Sequence, residues 1–185
     1  MIKFIKDNFN MVWKFFLNHV AMAMFALVVH IAGKMLNEAV YYAAGALSIL
    51  LYLFLLYSML IDKGSEDKIK IDGGRMKKNN CYGLYVALIA NSINILLCVI
   101  TLVTSFFIGE GTVVINTVHS VFKLIVNYYN AMYLSITNLT PTFPAIYLIS
   151  VIPSLIVCML SYIAGINGYK HFIPESKKVD RERRR

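Results

Sequence analysis

Residues 39–61 read AVYYAAGALSILLYLFLLYSMLI, and residues 62–80, directly after them, read DKGSEDKIKIDGGRMKKNN. The first stretch runs 23 residues without an Asp, Glu, Lys or Arg, whereas the second carries ten. A bilayer core of ~30 Å is crossed by ~20 apolar residues in a helix, because only helices and closed barrels satisfy every backbone group where water is absent. Stretch 39–61 is therefore expected to span a membrane and stretch 62–80 to lie in water beside it.

Working outward, three further segments have the same character: 15–33, 82–108 and 143–166 contain no charged residue. The whole chain of 185 residues is 58% apolar and only 15% charged. Soluble domains are nearer ~45–50% apolar. The net charge of +8 is confined to short stretches beside apolar runs. Anionic lipid headgroups are then the expected partner, and no nucleic acid is expected, since a phosphate-binding patch needs a folded soluble face to carry it.

Loop charge sets the orientation, because Lys and Arg near span ends stay in the cytosol. Lys3, Lys6 and Lys14 precede the first span, six basic residues fill 62–80, and seven follow 166, leaving only Lys34 and Lys123 for the other side. Both termini are expected in the cytosol of a multi-pass cell-membrane protein, which requires an even number of spans. The first apolar run is too long for a cleaved secretory signal and has no small-x-small site at its end.

Segment 112–136 is apolar enough to resemble a fifth span, but a fifth crossing would carry the basic carboxyl-terminal segment outside. Asn116, Ser120, Lys123, Asn127 and Asn130 recur at helical spacing, opposite Val114, Val118, Val121, Ile125, Tyr129 and Met132. That pattern predicts an amphipathic helix in the outer interface, with Val118 and Ile125 buried and Lys123 in water. The expected architecture is all-α: a cytosolic segment 1–14, an integral membrane four-helix bundle over 15–166 with an additional amphipathic helix on its outer face, and a basic cytosolic tail 167–185. Loop 62–80 is expected to be a solvated linker, the alternative being a basic hairpin turned at Asp72-Gly73. In the tail, Arg181, Arg183, Arg184 and Arg185 crowd one end with little apolar sequence to fold around, and are expected to face lipid headgroups.

Each span carries a stripe of small and polar residues stepping by four and three. In 82–108 it is Ala87, Asn91, Asn94, Cys98, Thr101 and Ser105; in 15–33, His19, Ala23, Ala26, His30 and Gly33; in 143–166, Ser154, Cys158, Ser161 and Gly165; in 39–61, Tyr41, Gly45, Ser48 and Tyr52. Helices in lipid associate through close packing of small residues and a few hydrogen bonds, so the stripes read as the bundle seam. The sharper reading makes Asn91, Asn94, Cys98, Thr101 and His19 a site for a polar ligand, because an amide in lipid is costly unless paired. His19 and His30 stand ~16 Å apart along a helix, too far to share a metal. Cys98 and Cys158 are expected at different depths, and Pro153 is expected to kink the last span.

No P-loop, nucleophile elbow, zinc-protease helix or carboxylate pair suited to hydrolysis or phosphoryl transfer is present. No catalytic residue, metal or cofactor is assigned. The expected role is a non-catalytic accessory, assembly or regulatory component of another membrane system, acting on a second membrane protein or on copies of itself. The alternative is a small oligomeric transporter or channel that uses the stripe on the third span.

Overall fold

A single residue, Asn37, joins the first two helices. The computed structural model describes residues 2–108, 113–139 and 145–169. Helix α1 spans Ile2–Leu36 and α2 spans Glu38–Asp72. Asn37 caps α2 by accepting the Val40 amide on its side-chain oxygen at 2.8 Å, as favoured N-cap residues do. So short a joint forces the two helices antiparallel, and they pack along their length.

Helix α2 does not stop where its apolar run stops. Lys63 and Lys70 both reach the Asp67 carboxylate, at 2.7 and 3.3 Å, and these i,i+4 and i,i+3 pairs carry the helix about three turns further. It ends at Asp72-Gly73-Gly74, where Gly73 is the cap and Gly74 takes φ of +69°. The stretch expected as a linker or hairpin is thus helical as far as Asp72. The Asp-Gly pair terminates a helix instead of turning a hairpin.

The next apolar segment forms α3 (Tyr82–Ala90) and α4 (Ser92–Ser105), bent by 57° at Asn91. The Asn91 side chain donates to the Ala87 carbonyl at 3.0 Å, a back-bond of the kind that bends helices. Then come α5 (Val113–Tyr129), a 3₁₀ turn (Ala131–Tyr133), α6 (Leu134–Leu139), α7 (Ile146–Ile149) and α8 (Ile152–Ile166). Pro153 sits in the first turn of α8, just after a two-residue irregularity at Ser150 and Val151 whose backbone stays in the right-handed helical region, so Ile146–Ile166 runs on as one interrupted helix. All described elements are helical.

Asn8–Leu36, Glu38–Asp72 and Ile146–Ile166 are long and apolar enough to cross a membrane, and α3 with α4 makes a fourth if the bent pair is one crossing. Exposed Val28, Leu50, Phe54, Leu96 and Leu160 coat the outside, as lipid contact requires. Inside, α2 and α8 run parallel with Gly64 against Gly165. A Cβ on Gly64 would stand 2.6 Å from the Tyr162 carbonyl, and one on Gly165 would overlap the Ile61 carbonyl. Helix α3 packs antiparallel on α8, with Gly83 against the Cys158 carbonyl.

Helix α5 folds back along α4. Thr104 meets His119 at 3.0 Å and Asn94 meets Asn130, so the two helices are antiparallel. The chain then reverses at Asn130. Asn138, eight residues on, donates to the Tyr41 hydroxyl at 2.6 Å, beside the α1–α2 joint. Tyr129 meanwhile sits at His19, which bonds Tyr52. Tyr41 and Tyr52 are ~16 Å apart along α2, so segment 113–139 descends to mid-bundle and climbs back. A helix covers Val113–Tyr129 at the place expected for the amphipathic helix, and its carboxyl-terminal end lies among the other helices. Its buried line is His119 and Val126, while Val118 and Ile125 are 37% and 39% exposed and Lys123 is half-buried. Of the expected polar face, Asn116 and Ser120 stay exposed, and only Asn127 and Asn130, at the far end, turn toward polar partners.

Candidate functional site

Those partners form a cluster around the elbow at Asn130. His19, on the inward stripe of α1, uses both ring nitrogens: Nε2 lies 3.0 Å from the Tyr129 carbonyl and Nδ1 lies 2.9 Å from the Tyr52 hydroxyl. A carbonyl only accepts, so Nε2 carries the proton, and the neutral ring accepts the Tyr52 O–H on Nδ1. The Tyr129 ring stacks on the imidazole with centroids 4.4 Å apart. His19 thereby fixes the depth to which the elbow enters.

Asn94 and Asn130 exchange two amide bonds at 2.8 and 2.7 Å. Cys98, one turn above Asn94, donates to its carbonyl oxygen at 3.4 Å and to the Tyr147 carbonyl at 3.6 Å. Thr101 donates to Leu97 at 2.9 Å. Asn91, Asn94, Cys98, Thr101 and His19 are all buried, and each has a protein partner. The structure brings Asn94, Cys98 and Asn130 together, with His19 bonded to the neighbouring residue of the elbow. Asn91 and Thr101 bond only within their own helices.

Among the described residues, two buried side-chain polar atoms have no partner, His30 Nε2 and the Tyr133 hydroxyl. His30 donates from Nδ1 to the Ala26 carbonyl at 2.7 Å, which leaves Nε2 as an acceptor. It faces Gly45, whose missing side chain makes room for Ser135 of the rising arm. Both atoms lie where that arm packs on α1 and α2.

A second polar group holds the other end of the bundle. The Asp67 carboxylate is 1% exposed and takes Lys63, Lys70 and the Tyr162 hydroxyl, the last at 3.2 Å. Tyr162 in turn meets the ring of Tyr82 at 4.7 Å, and Tyr82 donates to Asn8 at 2.8 Å. Sequence reading passed over Asp67 because it sat in a presumed loop; its flanking lysines at i−4 and i+3 were the available signal. Asn130 was read as a surface position of the amphipathic helix, and Tyr52 as a seam residue. Arg181, Arg183, Arg184 and Arg185 lie outside the described residues.

Comparison of the chain with protein-family models, with curated proteins and with solved structures finds no match.

Proposed function

We propose that the chain is a four-crossing protein of the cell membrane, with α3 and α4 together forming the third crossing and both termini in the cytosol. Segment 113–139 enters from the outer side and returns to it. The loop-charge asymmetry supports that orientation, and the reversal at Asn130 supports a re-entrant hairpin over a fifth crossing. The protein acts as a non-catalytic component that assembles with another membrane protein or with itself. The basic tail holds it to anionic headgroups.

The observation that carries this reading is the internal use of the polar stripe. A water path needs polar groups turned toward an opening, whereas Asn94, Cys98 and Thr101 are buried and spend their bonds on protein partners. Amides paired across helices are the usual glue of membrane bundles.

The rival, a small oligomeric transporter or channel, draws on the unpartnered His30 Nε2 and Tyr133 hydroxyl. A moving elbow would give them partners. Cys98 separates the two readings. In proteoliposomes, a membrane-impermeant thiol reagent applied to either side should leave Cys98 unmodified. Modification of Cys98 in the folded protein would favour the path and overturn the assembly reading.

A further inference from the structure

Between the cytosolic ends of α1 and α2 lies a cavity of about 410 Å³, large enough for a small molecule. Its walls are chemically divided. Helix α1 contributes Asn10 and Lys14, one turn apart on one face; α2 contributes Asp62 and Glu66, likewise one turn apart; Met11 and Met59 line the same cavity. Lys63 also borders it, but its charge is committed to Asp67 at 2.7 Å. Lys14, Asp62 and Glu66 are exposed at the mouth. Among the described residues, the cavity therefore offers one uncommitted cation, Lys14, facing two carboxylates, beside thioether surface.

The height of this cavity is set by the sequence. Lys14 is the last charge before the apolar run of α1, and Asp62 is the first after that of α2. Both stand where a charge-free span gives way to water, which is the level of lipid headgroups. Met59, three residues before Asp62, lies on the apolar side of that level, and Met11 stands about one turn beyond Lys14 on the water side.

We propose that this cleft binds the headgroup of an aminophospholipid, phosphatidylethanolamine, from the cytosolic leaflet. The ammonium, with three N–H donors, lies between Asp62 and Glu66, and the phosphate accepts from Lys14 and from the Asn10 amide. Met59 takes the start of the acyl region. A choline headgroup has no N–H to give the two carboxylates. A phosphatidylglycerol headgroup has no cation to set between them, and its negative charge meets two like charges. The assignment of the leaflet rests on the four-crossing reading above; the headgroup chemistry does not.

Titration of delipidated protein in detergent, read by native mass spectrometry, tests the chemistry independently of topology. The wild type should hold one phosphatidylethanolamine and prefer it over phosphatidylcholine and phosphatidylglycerol by about tenfold or more, the scale of a charge-assisted hydrogen bond. The double substitution Asp62→Asn, Glu66→Gln should abolish that preference and turn the protein toward phosphatidylglycerol, whereas Lys14→Gln, which removes the partner of a phosphate common to all three lipids, should weaken all of them. These positions are exposed, so unchanged thermal unfolding of each variant in detergent accompanies the expected result. Equal retention of all three lipids by the wild type, or an undiminished preference in the double variant, overturns the proposal. Free phosphoethanolamine is the second arm: if it displaces the lipid at equal concentration, the site belongs to a soluble ligand and the lipid assignment fails. Labelling of α2's cytosolic end from outside the cell would instead reassign the leaflet and leave the detergent result standing.

Discussion

Asn94 of α4 and Asn130 at the elbow donate to each other at 2.8 and 2.7 Å, so the amide where the chain reverses after α5 is satisfied by the amide beside the α3–α4 bend. Neither side chain meets lipid or water, since both are buried. The pair closes the hairpin of α4 and α5 at its inner end, as Thr104 and His119 join it nearer the outer end.

Replacing either asparagine with leucine leaves its partner's amide unpaired in an apolar setting. Each single substitution is expected to cost ~1–2 kcal/mol per lost hydrogen bond. The double substitution should cost less than the sum, because no orphaned amide remains. Reversible unfolding in detergent with a double-mutant cycle measures the coupling, and strict additivity would show that the pair does not form.

The buried faces of the long apolar helices were legible from periodicity alone. Ala87, Asn91, Asn94, Cys98 and Thr101 share a face because of their spacing, and that face is buried. The depth of segment 113–139 was not legible. Spacing tells which residues share a helix face; whether a polar face meets water or a buried amide depends on a residue 36 positions away. Asn127 finds the Tyr147 hydroxyl at 2.9 Å and Asn130 finds Asn94, so the far end of the polar face turns inward while Asn116 and Ser120 stay exposed along with Val118 and Ile125. Likewise, charge density marked 62–72 as water-facing but could not distinguish a loop from a helix that continues out of the membrane.

Gly165 lies against the backbone of α2, with no flexible side chain able to give way. Gly165→Ala should force α2 and α8 apart and destabilise the protein by about 1–3 kcal/mol, the usual range for overpacking. Gly74→Ala meets open space and only the strain of its positive φ, so it should cost about 1 kcal/mol. Thermal melts of the two variants in one detergent give the comparison; equal losses would argue against the α2–α8 contact.

Asp67 joins the charged extension of α2 to α8 through the Tyr162 hydroxyl. Asp67→Ala removes both lysine contacts and that bond, and is expected to destabilise by about 1–3 kcal/mol, below the cost of a fully buried pair because Lys70 is half exposed. Tyr162→Phe should cost less, since the carboxylate keeps its lysines. Protease sensitivity at residues 62–72 would report the loosened extension, and no change in either variant would contradict the contact.

The central claim is that segment 113–139 goes in and comes back out on one side while 62–80 faces the other. Single cysteines at Val114, Leu139 and Arg75, all exposed positions, test it directly in a background with Cys81, Cys98 and Cys158 replaced by alanine. An impermeant thiol reagent added to intact cells should label positions 114 and 139 and spare position 75 until the membrane is opened. Labelling of only one of positions 114 and 139 from outside would make the segment a crossing, and labelling of position 75 in intact cells would invert the whole orientation.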